Sequence, residues 1–382
     1  MVSAQKGISR AELARKAGLS KTTGSVLVEE LIEGGFLVDE GTKNTRKLGR
    51  KPNGLGICGE RNIVIVANWL TEKVEVQALN LLGEPIHSAE YTLGKEAAYV
   101  EATCELYHLL AGRLEKKQCI IGVCVITPSV IDPVECEIVS TILPVAESGS
   151  VIGRLRKMLP VVPIAFFNDT ACFAYAETAF LEPLRSEPSI FINLNRGIGA
   201  VLLCEGEMLR GGNGITTQFG HLSLDRQGEP CRCGNRGCLE NTVGEKGLYE
   251  RARRLGLPGC LAYGEDLSYE HVGRGADAGD EDFIALVKAL ASDLAFAIGS
   301  LVTLYSAQTV VIGGKGQYLG KRFIEELREQ LLGCGFQIFV KKAEVCYSAQ
   351  TPGEKTEFSG AVKYFVEQYY SFVDRMDNGL YL

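Results

Sequence analysis

Two spacings of apolar positions divide the chain. Between residues 9 and 35 they recur every three or four positions, the helical period, and from about Asn62 they gather in short β-rich runs separated by helical stretches. Ser9 is placed to cap a helix carrying Leu13, Ala14 and Ala17, Gly18 to stop it and Leu19 to pack the turn. Ser20 then caps a second helix, with Val26, Leu27, Leu31 and Ile32 expected inward and Gly34-Gly35 ending it. "FLVDE" reads as a strand. Beyond it, "NIVIVANWL", "KVEVQALNL", "CIIGVCVIT", "VPIAFFND", "SIFINLNRGIGAVLLC" and "TVVIGG" read as strands. "YVEATCELYHLLAGRLEKK", "DTACFAYAETAFL" and "EDFIALVKALASDLAFAIGSLVTLY" read as helices, so the body is α/β. Gly256 to Asp280, rich in glycine and acids, is expected to be a broad loop.

Two short helices joined by a tight glycine turn predict a helix-turn-helix, whose second helix enters a major groove. The segment Gly41–Asn53 has five Lys or Arg and no acid, which suits the basic tip of a wing. Lys21, Thr22, Thr23 and Ser25, with Ser20 at the cap, are the candidate groove-facing residues. Arg46, Lys47, Arg50 and Lys51 are candidates for phosphate or minor-groove contact. Gly24 inside the second helix is expected to cost up to ~1 kcal/mol relative to alanine. Only eight residues precede Ser9, so the first helix of a three-helix core is expected to be short or missing.

Charge sharpens this division. The net charge is −7, yet residues 1–53 carry an excess of four positive charges and the rest an excess of eleven negative ones. A basic head on an acidic body points to a polyanion partner for the head alone. No apolar run is read as long enough for a membrane span of ~18 residues, and the thirteen cysteines lie mostly in apolar surroundings. A cytoplasmic protein with reduced thiols and no membrane partner is expected. A chain of 382 residues suggests two or three domains.

One cluster carries distinctive chemistry. In "HLSLDRQGEPCRCGNRGCLEN" Cys231, Cys233 and Cys238 are spaced C-x-C-x4-C, ten residues after His221. Cys3His suits tetrahedral zinc, and four protein ligands leave no open position, so a structural zinc ion is expected. Asn168 and Asp169 end an apolar strand just before a helix, where ligands gather in open α/β sheets. Gln218 lies three residues before His221, and Glu240 two after Cys238. A set of Asn, Asp, Gln and Glu suits a polyhydroxyl ligand such as a sugar. The turns "NRGIGA" and "IGGKG" match neither a P-loop nor a dinucleotide fingerprint.

From "SRAELARKAGLSKTTGSVLVEELIEGG" and "GRKP" through "PSVID", "NDTACFAYAE", "RGIGA" and "GGNGITTQFGH" to "CRCGNRGCLE" and "VVIGG", the chain resembles the ROK family of sugar-responsive repressors and sugar kinases. The resemblance implies an N-terminal winged helix-turn-helix followed by an actin-like (ribonuclease H-like) pair of α/β subdomains. The corresponding boundaries are 1–55, then 60–166 with 357–382, then 167–356 carrying the zinc knuckle. It also implies a sugar in the cleft, contacted by Asn168, Asp169, His221 and Glu240, with Thr141 a further candidate, and a homodimer or homotetramer. His221, Cys231, Cys233 and Cys238 would hold the metal.

Departures from the family pattern favour its regulator branch. The kinases' Asp-x-Gly-Gly-Thr phosphate turn is replaced by Asn68-Trp69-Leu70-Thr71. Asp169, the kinases' general base, then has no phosphoryl donor to serve. Gln218 stands where the family carries a glutamate, which weakens any bond to a sugar hydroxyl. A sugar-responsive repressor binding an operator in DNA is therefore expected, its body a sensor that catalyses nothing. A ROK sugar kinase, and a DNA-binding regulator that has lost its inducer, remain the alternatives.

Overall fold

The computed structural model describes residues 2, 7–42, 53–94, 98–131, 138–141, 143, 144, 150–195, 197–209, 217–369, 380 and 381. The chain divides into two compact units, Met1–Cys172 with Glu357–Leu382, and Phe173–Thr356.

The first unit begins with β1 (Ile8–Ser9), α1 (Arg10–Lys16), α2 (Lys21–Glu33), β2 (Leu37–Thr42) and β3 (Asn53–Ile57). Ser9 caps α1 in a capping box: its hydroxyl accepts from the Glu12 amide, and Glu12 accepts from the Ser9 amide at 2.9 Å. Gly18 reverses the chain at φ 68°. Ser20 caps α2, accepting from the Thr23 amide at 3.1 Å. The two helices cross so closely that a β-carbon on Gly24 would stand 2.4 Å from the Ala14 methyl. That crossing sets which stripe of α2 faces inward. Gly24 and Val28 are buried and Leu31 and Ile32 half-buried, whereas Val26 and Leu27, expected inward, are 54% and 42% exposed. Leu19, expected to pack the turn, is also exposed. The three strands pair antiparallel in the order β1-β3-β2 over a core of Ile8, Val28, Leu37 and Leu55. Residues 43–52, with Arg46, Lys47, Arg50 and Lys51, lie outside the described residues.

This head is fastened to the rest of its unit. The Cys58 amide donates to the Phe36 carbonyl at 3.0 Å, and Asn62 Nδ2 to the Gly34 carbonyl at 2.9 Å. The Phe36 ring centroid lies 5.1 Å from that of Tyr369.

The unit continues as β4 (Asn62–Trp69), β5 (Lys73–Asn80), β6 (Pro85–Thr92), α3 (Tyr99–Ala111), β7 (Cys119–Thr127), β8 (Val130–Ile131), β9 (Ile138–Ser140), α4 (Val151–Met158) and β10 (Ile164–Asn168). α5 (Asp169–Glu177) runs across the boundary into the second unit. The second unit adds α6 (Pro183–Ser186), β11 (Ser189–Leu194), β12 (Ile198–Cys204), β13 (Glu207–Met208), α7 (Leu239–Val243), α8 (Leu248–Leu255), α9 (Pro258–Leu261), α10 (Tyr269–Asp277), α11 (Glu281–Tyr305), β14 (Thr309–Gly313), α12 (Gly320–Leu331), α13 (Gln337–Val340) and β15 (Glu344–Tyr347). α14 (Thr356–Glu367) and β16 (Leu380–Tyr381) return to the first.

The two main sheets share one plan. In the first, the order is β16-β10-β7-β4-β5-β6, with β4, β5 and β6 antiparallel neighbours and β7, β10 and β16 added parallel. In the second it is β13-β12-β11-β14-β15, again an antiparallel meander extended by parallel strands. Counted along each sheet in chain order, both read third, second, first, fourth, fifth, with β16 a sixth strand at the edge of the first.

Gly256–Asp280, expected to be a loop, holds α9 and α10. Tyr269, Val272, Gly273 and Ala276 face inward from α10 at helical spacing. Its glycines sit where neighbours press on the helix: a β-carbon at Gly273 would lie 1.9 Å from the Tyr318 carbonyl oxygen, and one at Gly275 2.4 Å from the Phe283 ring. α11 is, among the described residues, long and apolar enough by composition to cross a membrane, contrary to the sequence reading. Its buried residues, Phe283, Leu286, Leu290, Leu294 and Ile298 among them, form the core of the second unit.

Candidate functional site

The thiol knuckle is a miniature hairpin. Leu224 donates to the Gly237 carbonyl at 2.8 Å and Leu239 to the Leu222 carbonyl at 2.9 Å, while Cys231 donates to the Asn235 carbonyl at 2.8 Å. Gly237, at φ 60°, makes the return. The fold thereby brings His221, Cys231, Cys233 and Cys238 together, one potential ligand atom of each lying within 4.8 Å of the others. Cys233 and Cys238 Sγ are 3.7 Å apart, and Cys231 Sγ and His221 Nδ1 3.6 Å. Tetrahedral zinc, with bonds of about 2.3 Å to sulfur, spaces its sulfurs by about 3.8 Å, so this donor set fits a metal ion. Burial, followed by the neighbouring thiols of Cys231 and Cys233, pushes the Cys238 thiol up to about 12. A bound cation would favour the thiolate form of such a group.

The knuckle also positions Glu240, at the start of α7. Its Oε2 accepts the Ile198 amide at 3.2 Å, and Oε1 accepts from Arg232 Nη2 at 3.3 Å. The carboxylate thus lies on the turn between β11 and β12. Gly220 passes beneath: a β-carbon there would stand 2.6 Å from the Ile198 carbonyl oxygen and 3.3 Å from Glu240 Oε2. Gln218 is exposed and its carbonyl accepts the His221 amide at 2.9 Å.

In the first unit a second polar set forms at the carboxyl ends of β7 and β10. Asn168 is in register with Thr127, and is exposed. The Thr170 amide donates to Asn168 Oδ1 at 3.0 Å and to Asp169 Oδ1 at 2.7 Å. Desolvation raises the Asp169 carboxyl above the usual carboxylate range, and the bonds from Thr170 oppose it. Thr141 joins this set through a chain of hydroxyls: Thr127 Oγ1 and Ser129 Oγ are 2.8 Å apart, and Ser129 donates to Thr141 Oγ1 at 2.7 Å. Thr127 and Ser129, both buried, were not singled out from the sequence: strand register rather than spacing brings Thr127 to Asn168, and Ser129 joins through its bond to Thr127.

Where β4 ends, the indole of Trp69 fills the interior. It donates to Thr103 Oγ1 at 2.9 Å and lies 5.1 Å from the Tyr99 ring and 5.8 Å, edge-on, from Phe166. The hairpin closes at once, Leu70 donating to the Lys73 carbonyl at 2.9 Å. Asn68 Nδ2 donates to buried Glu357 at 3.0 Å.

On the head, Lys21, Thr22, Thr23 and Ser25 are all exposed in the first turns of α2. The Ser20 and Thr23 hydroxyls are bonded to each other at 2.8 Å, which gives Ser20 a capping task.

Two α/β units of one strand order, with a four-donor knuckle in the second, define the actin-like class shared by sugar kinases and their repressor relatives. The chain belongs to the ROK family, which matches residues 72–352. It is similar to the xylose repressor of Caldicellulosiruptor bescii, 26% identical over 369 residues that cover 89% of this chain and 88% of that protein. It is 25% identical over 320 residues to the DNA-binding transcriptional dual regulator NagC of Escherichia coli, covering 81% and 77%. Among solved structures, a ROK family transcriptional regulator, a homolog of the E. coli MLC protein, superposes with a TM-score of 0.80 over 97% of this chain and 95% of that one, at 20% identity. The ROK hexokinase of Thermus thermophilus shares the fold at a TM-score of 0.65 and 21% identity, over 81% of this chain and 99% of that one.

Proposed function

We propose that this chain is a DNA-binding transcriptional regulator, a repressor whose hold on its operator is released by a sugar. The observation that carries the reading is a capped helix pair exposing Lys21, Thr22 and Ser25, joined in one chain to a ROK body whose first hairpin is closed over Trp69. α2 enters the major groove with Lys21, Thr22, Thr23 and Ser25, and the basic segment bearing Arg46, Lys47, Arg50 and Lys51 adds phosphate contacts. The sugar ligands are Asn168, Asp169 and Thr141 in the first unit and Gln218, His221 and Glu240 in the second. Carboxylates and amides of this kind accept from and donate to hydroxyls. Kinase chemistry is disfavoured because Asn68 and Trp69 stand where the family's phosphate turn would begin, and each is committed to a partner inside the unit.

A structural zinc ion on His221, Cys231, Cys233 and Cys238 supports this reading, since the donor spacing fits one. It would lock the knuckle and with it the placement of Glu240. A cytosolic location, where those thiols stay reduced, follows from the same reading.

The test is selection of genomic fragments by the purified protein, then gel shift with a panel of hexoses, pentoses and N-acetylated sugars. Retention released by one sugar supports a sugar-responsive repressor. Retention that no sugar alters favours a regulator without an inducer, with Gln218 the first residue to restore to glutamate. A sugar kinase is the second reading, favoured by the raised carboxyl of Asp169, which suits a general base. Sugar-dependent ADP formation from ATP would establish it.

A further inference from the structure

We infer that Val26 is a specificity-determining residue of the head, reading the 5-methyl group of one thymine in the major groove. The inference rests on the DNA-binding reading above and adds to it the identity of one base that the head recognises.

The packing of α2 on α1 sends Val26 outward. Gly24 and Val28 are buried, Gly24 against Ala14 and Val28 in the core of the head at 2% exposure. Val26 stands two residues from each, so it projects from the opposite side of the helix and is 54% exposed. Thr22 lies four residues before it and Glu29 three after, so the three form one exposed stripe, with Ser25 at its margin. A lone exposed valine on a protein surface is ordinary. This one lies in the second turn after the Ser20 cap, among the side chains that a recognition helix sets against base edges.

Charge limits how the helix can enter the groove. Lys21 opens α2, whereas Glu29, Glu30 and Glu33 are exposed along its second half. Arg10 Nη1 pairs with Glu29 at 2.9 Å and Nη2 with Asp39 at 3.0 Å, which offsets the acid next to Val26. Glu30 and Glu33 would meet phosphates if α2 lay along the groove for its whole length. It therefore enters by its first two turns, whose amide ends also attract phosphate. Thr22, Ser25 and Val26 are then the residues presented to base edges.

Chemistry names the base. Valine neither donates nor accepts a hydrogen bond, so it reads by apolar contact alone. The thymine methyl is the one apolar group on the base edges of the major groove. A β-branched side chain in a helix has one strongly preferred rotamer, which holds the Val26 methyls in place for that contact. Set against an amino group of adenine or cytosine, or against guanine O6, they would displace water without replacing its hydrogen bond.

The experiment enriches a library of random duplexes on the purified full chain, native and Val26→Ser in parallel. The best native duplex is then remade with deoxyuridine for thymine, one position at a time, which removes only the methyl. One such exchange is expected to weaken native retention about three- to fivefold, the value of one buried methyl, and to leave Val26→Ser retention unchanged. Val26→Ser should recover the native sequence preferences except at that thymine, with unchanged circular dichroism. Thr22→Ser, which lacks the competing methyl, should keep the uracil loss. Native retention indifferent to every uracil exchange overturns the inference, and that arm needs no variant. A uracil loss equally large in Val26→Ser, or abolished in Thr22→Ser, also overturns it. A native chain that enriches no duplex refutes the DNA-binding reading itself, a result distinct from a retained duplex whose methyls do not matter.

Discussion

Glu240 Oε2 accepts the backbone amide of Ile198 at 3.2 Å, which ties the thiol knuckle to the turn between β11 and β12. The contact is possible because Gly220 leaves room beneath it. Gly220→Ala would drive a methyl into the Ile198 carbonyl and is expected to cost about 1–3 kcal/mol, typical of overpacking. Urea unfolding of the purified variant measures this. A change under 0.5 kcal/mol would show that the turn yields freely.

Gly24 tests packing against propensity. In an exposed helix, glycine to alanine stabilises by up to ~1 kcal/mol. Here the new methyl meets that of Ala14, so Gly24→Ala is expected to destabilise the head and weaken DNA retention several-fold. Gel shift and proteolysis of the head together check this. Tighter binding would mean that α1 and α2 separate easily.

Asp169 should contribute a pH-dependent cost. Its folded carboxyl titrates above the unfolded value, so the folded chain binds more protons than the unfolded one in the interval between the two. Stability from this group is accordingly greatest at acid pH and declines as pH rises through the folded value. Asp169→Asn is expected to gain on the native chain as pH climbs from 4 to 7, while abolishing any sugar response. Unfolding curves at a series of pH values read the difference, and a gap that narrows with pH contradicts the assignment.

Zinc should be present at one equivalent per chain in protein purified without added metal, by atomic absorption. Less than half an equivalent in a folded chain refutes the structural-zinc reading. Cys233→Ser is expected to lose the metal and weaken sugar binding, because Glu240 and Gln218 flank the same knuckle.

Trp69→Ala removes a wholly buried indole and leaves Thr103 Oγ1 without its donor. The expected loss is about 3–5 kcal/mol, with no gain of ATP turnover. Thermal unfolding and a coupled ADP assay report the two quantities separately.

How far the fold could be read in advance depended on where each signal originates. β4, buried at every position, and β11 and β14 announce themselves as continuous apolar runs because both faces are covered. β6, exposed over most of its length, and four-residue β15 gave no such run. α10 was hidden by Gly273 and Gly275, which mark close approach of neighbours in place of a loop. Gly24 misled in the same way, and the true inward stripe of α2 was displaced from the one expected. The thiol grouping was legible because it is local in sequence. The Thr127–Ser129–Thr141 chain was not, since Thr141 returns to Ser129 only through the β8–β9 pair, and the set meets Asn168 only through the register of β7 with β10.

Trp69 also bears on descent. Its ring joins β4 to α3 and β10, and its nitrogen is held by Thr103. A lineage that reopened this hairpin toward catalysis would first have to survive without its largest buried side chain. The barrier to reversal is thus one of folding, and it holds however few substitutions the chemistry itself would require.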